Sequence, residues 1–166
     1  MVKSTVFTIF ILMVIVMVTG CASSLTPDKE SQMKNDVTFD EIKVMVFQLP
    51  NCECCGRYQG YLRAQGFQVE TTYVEDMPSL HSIKRRFQIP RSVESCHTAV
   101  IGDYFVEGHV PVAAVAKLLA EKPDIDGIAL PSMPSGSPGM PGQQTEAFQI
   151  YALSSGKTSE FMVISH

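Results

Sequence analysis

Ile42-Lys43-Val44-Met45-Val46-Phe47-Gln48, then Leu49-Pro50-Asn51, then Cys52-Glu53-Cys54-Cys55-Gly56, run on without interruption into Arg57–Gly66. The first seven residues are rich in β-branched and aromatic side chains at strand length, and Pro50-Asn51 breaks the run just before the cysteines. After them Tyr58, Tyr61, Leu62 and Gln65 recur at helical spacing, and Gly66 stands where a helix C-cap is expected. A strand, a cysteine-bearing turn and a helix therefore open the fold.

Working outward, Phe67–Val74 reads as a second strand. Asp76 and Pro78 start a second helix whose apolar face is Leu80, Ile83 and Phe87. His97–Ile101 and Tyr104–Glu107 are short strands joined at Gly102-Asp103. Pro111 opens a third helix, apolar at Val112, Val115, Leu118 and Leu119, which Pro123 stops. The order β-α-β-α-β-β-α with cysteines after the first strand predicts an α/β, thioredoxin-like domain over residues 41–130. A C-terminal extension, 131–166, comprises a loop from Leu130 to Gly142, rich in Pro, Gly and Ser, and a hairpin, Phe148–Leu153 with Phe161–Ile164. Nothing in the chain repeats.

The amino end has a different character. One charge, Lys3, precedes an apolar run from Val6 to Val18 that is short for a membrane span, which predicts a signal peptide over 1–20. Val18-Thr19-Gly20-Cys21 resembles a bacterial lipobox, so Cys21 is the expected lipidation site. Residues 21–40 read as a tether. The expected location is the periplasmic side of a bacterial membrane, the outer membrane, reached through a lipid anchor. Removal of 1–20 leaves 12 basic against 17 acidic residues, a net charge of −5. Nucleic acid is excluded as a partner on that balance, and about 145 residues suit one modest core in a monomer.

Four cysteines remain: Cys52, Cys54, Cys55 and Cys96. In an oxidising compartment an even count suggests structural disulfides, but the spacing argues for a site. A bridge between the neighbours Cys54 and Cys55 is strained, and Cys52 to Cys54 closes too small a loop to stabilise much. Cys52 and Cys55 do have the separation of a dithiol oxidoreductase, and Cys54 is the surplus group. A helix N-terminus favours thiolate, the nucleophilic and metal-binding form. Thiolates, thioethers and imidazoles suit Cu(I) or zinc, and three crowded thiols suit bridged, low-coordinate Cu(I) better than tetrahedral zinc. Cys96-His97 and Gly108-His109 are expected beside the same turn. Strand alternation would send Cys96 and His97 to opposite faces, with Cys96 the stronger candidate. His81 reads as a surface residue. The Pro/Gly/Ser loop carries Met133 and Met140, neutral donors for Cu(I), and a soft metal is the expected agent that orders it.

Four motifs in order, Cys52-Glu53-Cys54-Cys55, Ser95-Cys96-His97-Thr98-Ala99-Val100, Val106-Glu107-Gly108-His109-Val110-Pro111 and Met133-Pro134-Ser135-Gly136-Ser137-Pro138-Gly139-Met140, resemble those of CopG-like copper-resistance proteins. The resemblance runs from about Glu41 to the C-terminus. It implies a thioredoxin-like domain with a metal-binding extension, a cysteine-bridged copper cluster of several ions, and Cu(I)/Cu(II) interconversion in periplasmic copper detoxification. The metal ligands it implies are Cys52, Cys54, Cys55, Cys96, His97, His109, Met133 and Met140, with Cys52, Cys54 and Cys55 as the redox residues. Copper ions, the membrane and copper-export proteins are the implied partners. Tyr58 stands where the family usually has Trp, and Ser132 where it usually has Gly. Pro90 falls early for the cis-proline of thioredoxin-like enzymes. Copper sequestration or delivery without catalysis, and thiol–disulfide exchange through Cys52 and Cys55, are the alternatives.

Overall fold

A computed structural model describes residues 39–165. The expected signal peptide, lipidated Cys21 and nearly all of the tether lie outside the described residues. Within them no helix is long and apolar enough to cross a membrane.

The elements are β1 (Lys43–Gln48), α1 (Glu53–Ala64), β2 (Gln68–Tyr73), α2 (Met77–Arg86), a 3-10 turn (Arg91–Val93), β3 (Thr98–Ile101), β4 (Tyr104–Gly108), α3 (Val112–Glu121), β5 (Gly127–Leu130), β6 (Phe148–Ser154) and β7 (Lys157–Ile164). The expected α/β class holds, and up to α3 the order is the expected one. The strands form one seven-stranded sheet in the order β2-β1-β3-β4-β5-β6-β7. β1 is parallel to β2 and β4 to β5, while every other neighbouring pair is antiparallel. Strand β5 was not expected. Its four residues, Gly127-Ile128-Ala129-Leu130, are buried on both faces and so show no alternation.

Local chemistry explains the helix ends. Gly66, at φ +100°, turns the chain beyond α1 while its N–H and that of Phe67 donate to Arg63 and Leu62 carbonyls, a paired closure that uses glycine's freedom at positive φ. Asp76 caps α2 by accepting the Ser79 N–H at 2.8 Å, and hydrogen bonding from the Ser79 side chain and then its backbone lowers the Asp76 pKa.

Alternation along the strands makes two cores. On one face Val44, Val46, Ala99, Ile101, Val106 and Ile128 meet Tyr58 and Leu62 of α1 and Val115 and Leu118 of α3. On the other, Phe105, Ala129 and Leu153 pack with Ile89 and Val93, and Phe87 beside α2 lies 5.7 Å from the Phe105 ring. Each fully buried large aliphatic or aromatic side chain contributes about 1.5–3 kcal/mol, so both faces are well anchored.

The strand directions have a consequence for chemistry. β1, β4 and β5 run the same way and β3 runs against them. The carboxyl ends of three strands and the amino end of the fourth therefore meet at one edge of the sheet, where the turns bearing Cys52, Cys96, His109 and the Pro/Gly/Ser loop emerge.

Replacing Asp76 with Ala should lower stability through loss of the N-cap, while Asp76→Asn should keep most of it. Urea unfolding of the three proteins tests this, and an unchanged midpoint in the Ala variant would refute the capping role.

Candidate metal centre

Cys52 is the N-cap residue of α1, and Cys54 and Cys55 lie in its first turn. Cys52 and Cys55 are joined by a disulfide with Cα atoms 5.3 Å apart, and Cys54 and Cys96 are free thiols. The pairing uses the dithiol separation noted in the sequence. Four sulfurs converge: Cys54 Sγ lies 3.6 Å from Cys52 Sγ and 3.9 Å from Cys96 Sγ, and Cys55 Sγ is 3.4 Å from Cys96 Sγ. All four lie within 4.8 Å of one another. Pro50, Asn51, Cys52 and Glu53 line an open hollow of about 440 Å³ that gives solvent access to this side.

The second donor set shares Cys96. Its Sγ lies 3.3 Å from His97 Nδ1 and 3.1 Å from His109 Nε2, and the three donors again fall within 4.8 Å. The expectation that alternation would part Cys96 from His97 is therefore wrong. Both residues precede Thr98, where β3 begins, so the strand's period does not govern them. His109 Nδ1 lies 2.7 Å from the Pro138 carbonyl. A carbonyl only accepts, so Nδ1 carries the proton and the Nε2 lone pair faces Cys96. His97 Nε2 is buried and has no hydrogen-bond partner.

Tyr58 backs both imidazoles. Its ring centroid is 4.8 Å from that of His97 and 5.3 Å from that of His109, and its hydroxyl donates to the Val110 carbonyl at 2.9 Å. Here the smaller ring with a polar tip is fully buried and satisfied. Burial raises its pKa far above the usual phenol value, so it serves as a neutral wall.

The loop after β5 closes the other side. Arg57 Nε donates to the Gly139 carbonyl at 2.8 Å. Gly139, at φ +81°, sits so close to α1 that a Cβ would come within 2.6 Å of Tyr58 N and 2.9 Å of the Cys54 carbonyl oxygen. The loop also bonds itself: Ser137 Oγ donates to the Pro134 carbonyl at 2.7 Å, and Gly136 N and Ser135 Oγ both donate to the Pro141 carbonyl at 3.1 Å. Its own carbonyls, Arg57 and His109 thus tie the loop to itself and to its neighbours. Met133 is 37% exposed at φ +47° and follows Ser132 at φ +68°, so two successive non-glycine residues occupy the left-handed region where a Cβ is penalised. Met140 is half-buried next to Gly139. His81, read as a surface residue, is half-buried with Nε2 3.3 Å from Glu94.

One pair escaped the sequence reading. Lys84 and Glu107 are both completely buried and ion-paired, Nζ to Oε1 at 2.5 Å. The signal was present: Lys84 follows Leu80 by four residues and so falls on the same helical face as the apolar stripe. Pro90 begins the 3-10 turn, and no described peptide bond is cis.

These surroundings favour uncharged donors. Burial first, then the neighbouring Cys54, pushes the Cys96 thiol up to about 12. His97 is pulled well below the ordinary imidazole value by burial, then by His109 and the Lys84 ammonium. His109 is lowered by burial against the opposing pull of the Pro138 carbonyl. A cation binding here must displace the thiol proton, while both imidazole lone pairs are already free.

What the geometry defines is an α/β protein with two overlapping donor sets, four cysteines and a Cys-His-His triad, that could hold metal. A family model described as "Protein of unknown function, DUF411" matches residues 93–140. No curated protein matches. Two solved structures do: "Copper resistance protein copG- Form 2", with 41% identity and a TM-score of 0.67, and "Copper resistance protein copG- Form 1", with 40% identity and a TM-score of 0.67. Each similarity covers 75% of this chain and 98% of the other. The chain belongs to the CopG copper-resistance family.

The buried, neutral histidines set the acid limit of the metal-free fold. As pH falls below about 6.5 the unfolded chain protonates them while the folded chain resists, so stability present above that pH is lost toward the lower folded pKa values. Urea unfolding across this range should show the decline, and His97→Gln should make the slope shallower by up to about one proton. Identical slopes in both proteins would overturn the assignment.

Proposed function

We propose that this chain is an extracytoplasmic, lipid-anchored copper-binding protein that interconverts Cu(I) and Cu(II) on a cysteine-bridged cluster in copper resistance. The single observation that carries the proposal is the sharing of Cys96 between a four-sulfur set and a two-imidazole set, each within 4.8 Å. Thiolates are soft donors that favour Cu(I), whereas imidazoles also suit Cu(II), so adjoining sets serve an ion that changes oxidation state. The thioredoxin-like arrangement supplies the platform, and residues 131–166 supply the cover. Met133 or Met140 completes the shell with a neutral thioether.

The Cys52–Cys55 disulfide favours one second reading, thiol–disulfide exchange, because those two cysteines form the pair such an enzyme uses. On the copper reading, the same disulfide means that full loading requires two electrons to release two thiolates. Two thiolates and two Cu(II) ions yield one disulfide and two Cu(I) ions, so the pair is itself a balanced two-electron donor to copper. Cys54, outside the disulfide, separates the readings. Cys54→Ser should lose most of its bound copper while remaining folded, by metal analysis of the reduced protein. Full copper with loss of disulfide reductase activity alone would establish thiol exchange instead.

The methionines are tested separately. Because the loop is held by its own hydrogen bonds and Arg57, replacing Met133 and Met140 with Leu keeps volume and fold. Copper(I) affinity or the rate of oxidation by air should change. A double variant that matches the parent in copper content, spectrum and oxidation rate would remove both from the site.

A further inference from the structure

The Lys84–Glu107 pair lies on the α2 face of the sheet, outside both donor sets, yet its hydrogen bonds lead to them. Glu107 Oε1 accepts the Ser95 backbone N–H at 2.5 Å, and Oε2 accepts the Thr98 hydroxyl at 2.6 Å. Ser95 and Thr98 are the residues on either side of Cys96-His97. One carboxylate thus grips both ends of the two-residue segment that carries the sulfur common to both sets. Lys84 Nζ holds the same carboxylate at 2.5 Å and reaches Thr98 Oγ1 at 3.1 Å. Between the grips, Gly108 N donates to the His97 carbonyl at 3.2 Å. The segment is therefore held at three points, the Ser95 N–H, the His97 carbonyl and the Thr98 hydroxyl.

A buried ion pair is a poor device for stability alone, since well-packed apolar residues of similar volume often do as well or better. Nor does a fully buried carboxylate belong beside thiolates unless something cancels its charge, because its field opposes their ionisation. Lys84 supplies that cancellation. What remains is geometry, a rigid acceptor for Ser95 and Thr98.

Resting on the copper reading above, we propose that Glu107, neutralised by Lys84, is the positioning residue that holds Cys96 and His97 in metal-binding geometry. It touches no donor atom and acts only through the Ser95–Thr98 backbone and hydroxyl.

The test separates positioning from folding. Replacing the pair together, Lys84→Met with Glu107→Leu, should leave thermal stability of the metal-free protein equal or higher. Copper(I) affinity should fall about 10–100-fold, the usual cost of losing the outer partners of metal ligands, with a changed thiolate-to-copper absorption spectrum. In the copper-free, disulfide-bonded protein, alkylation of Cys96, followed by peptide mass spectrometry, should be faster than in the parent. Thr98→Val, which removes one grip and keeps the ion pair, should shift both readouts the same way by less, and it decides the matter if the double variant does not fold. Parental affinity, spectrum and alkylation rate in a folded variant would overturn the proposal. If the parent itself binds no copper, the functional reading fails, and the alkylation rates alone still tell whether Glu107 positions Cys96.

Discussion

The pairing of β3 with β4 fixes the whole site. Thr98 lies opposite Glu107 and Ala99 opposite Val106, so Thr98 and Glu107 face α2 while Ala99 and Val106 face α1 and α3. A slip of one residue would exchange the faces, burying Val106 on the wrong side and carrying Glu107 away from Lys84. It would also separate the residues just before β3 from those just after β4, and these residues are Cys96, His97 and His109. Gly108, at φ +77°, ends the pairing where a Cβ would come within 2.6 Å of the Leu130 carbonyl and 2.7 Å of the Ser95 side chain. Only glycine allows β4 to lie that close to both neighbours while the chain turns to present His109.

Much of this could be read from residue order because the signals are local. The first strand, the cysteine turn and the capped helices depend on spacing within a few residues, and so did the expected order through α3. What escaped depends on contacts far apart in sequence. β5 is short and buried on both faces, so periodicity has nothing to register. Lys84 lies on the apolar face of α2, but its partner Glu107 is 23 residues away, so nothing local marks the pair. The error over Cys96 and His97 had another source, a strand boundary set one residue early. His97 lies outside β3 by a single position, and alternation has no force there. The cysteine motif was legible because its three thiols are consecutive enough to be improbable as ordinary packing. The hold of the loop on the site was not, because it runs through backbone carbonyls that any residue can provide.

Those carbonyls make the segment after β5 part of the centre. Pro138 sets the tautomer of His109, and Gly139 presses against the turn of α1 that carries Cys54. Replacing Pro138 would leave its carbonyl in place, so side-chain identity there matters through loop shape. Arg57 links the two pieces from the α1 side, with its other nitrogen near Glu53 at 3.7 Å on an exposed surface. An exposed pair of that kind adds little stability. The bond to Gly139 is the useful one, because it ties the loop to the helix whose first turn carries Cys54 and Cys55.

The electrostatic design then follows from burial. Neutral imidazoles and an un-ionised Cys96 thiol lie side by side without charge repulsion between them. Tyr58 packs against both imidazoles and satisfies its hydroxyl on Val110, so it adds no charge and no unpaired group of its own there. Ionisation of Cys96 is opposed by burial first and then by Cys54. A cation held here would have to offset that cost, which a soft ion does better through sulfur than a hard one.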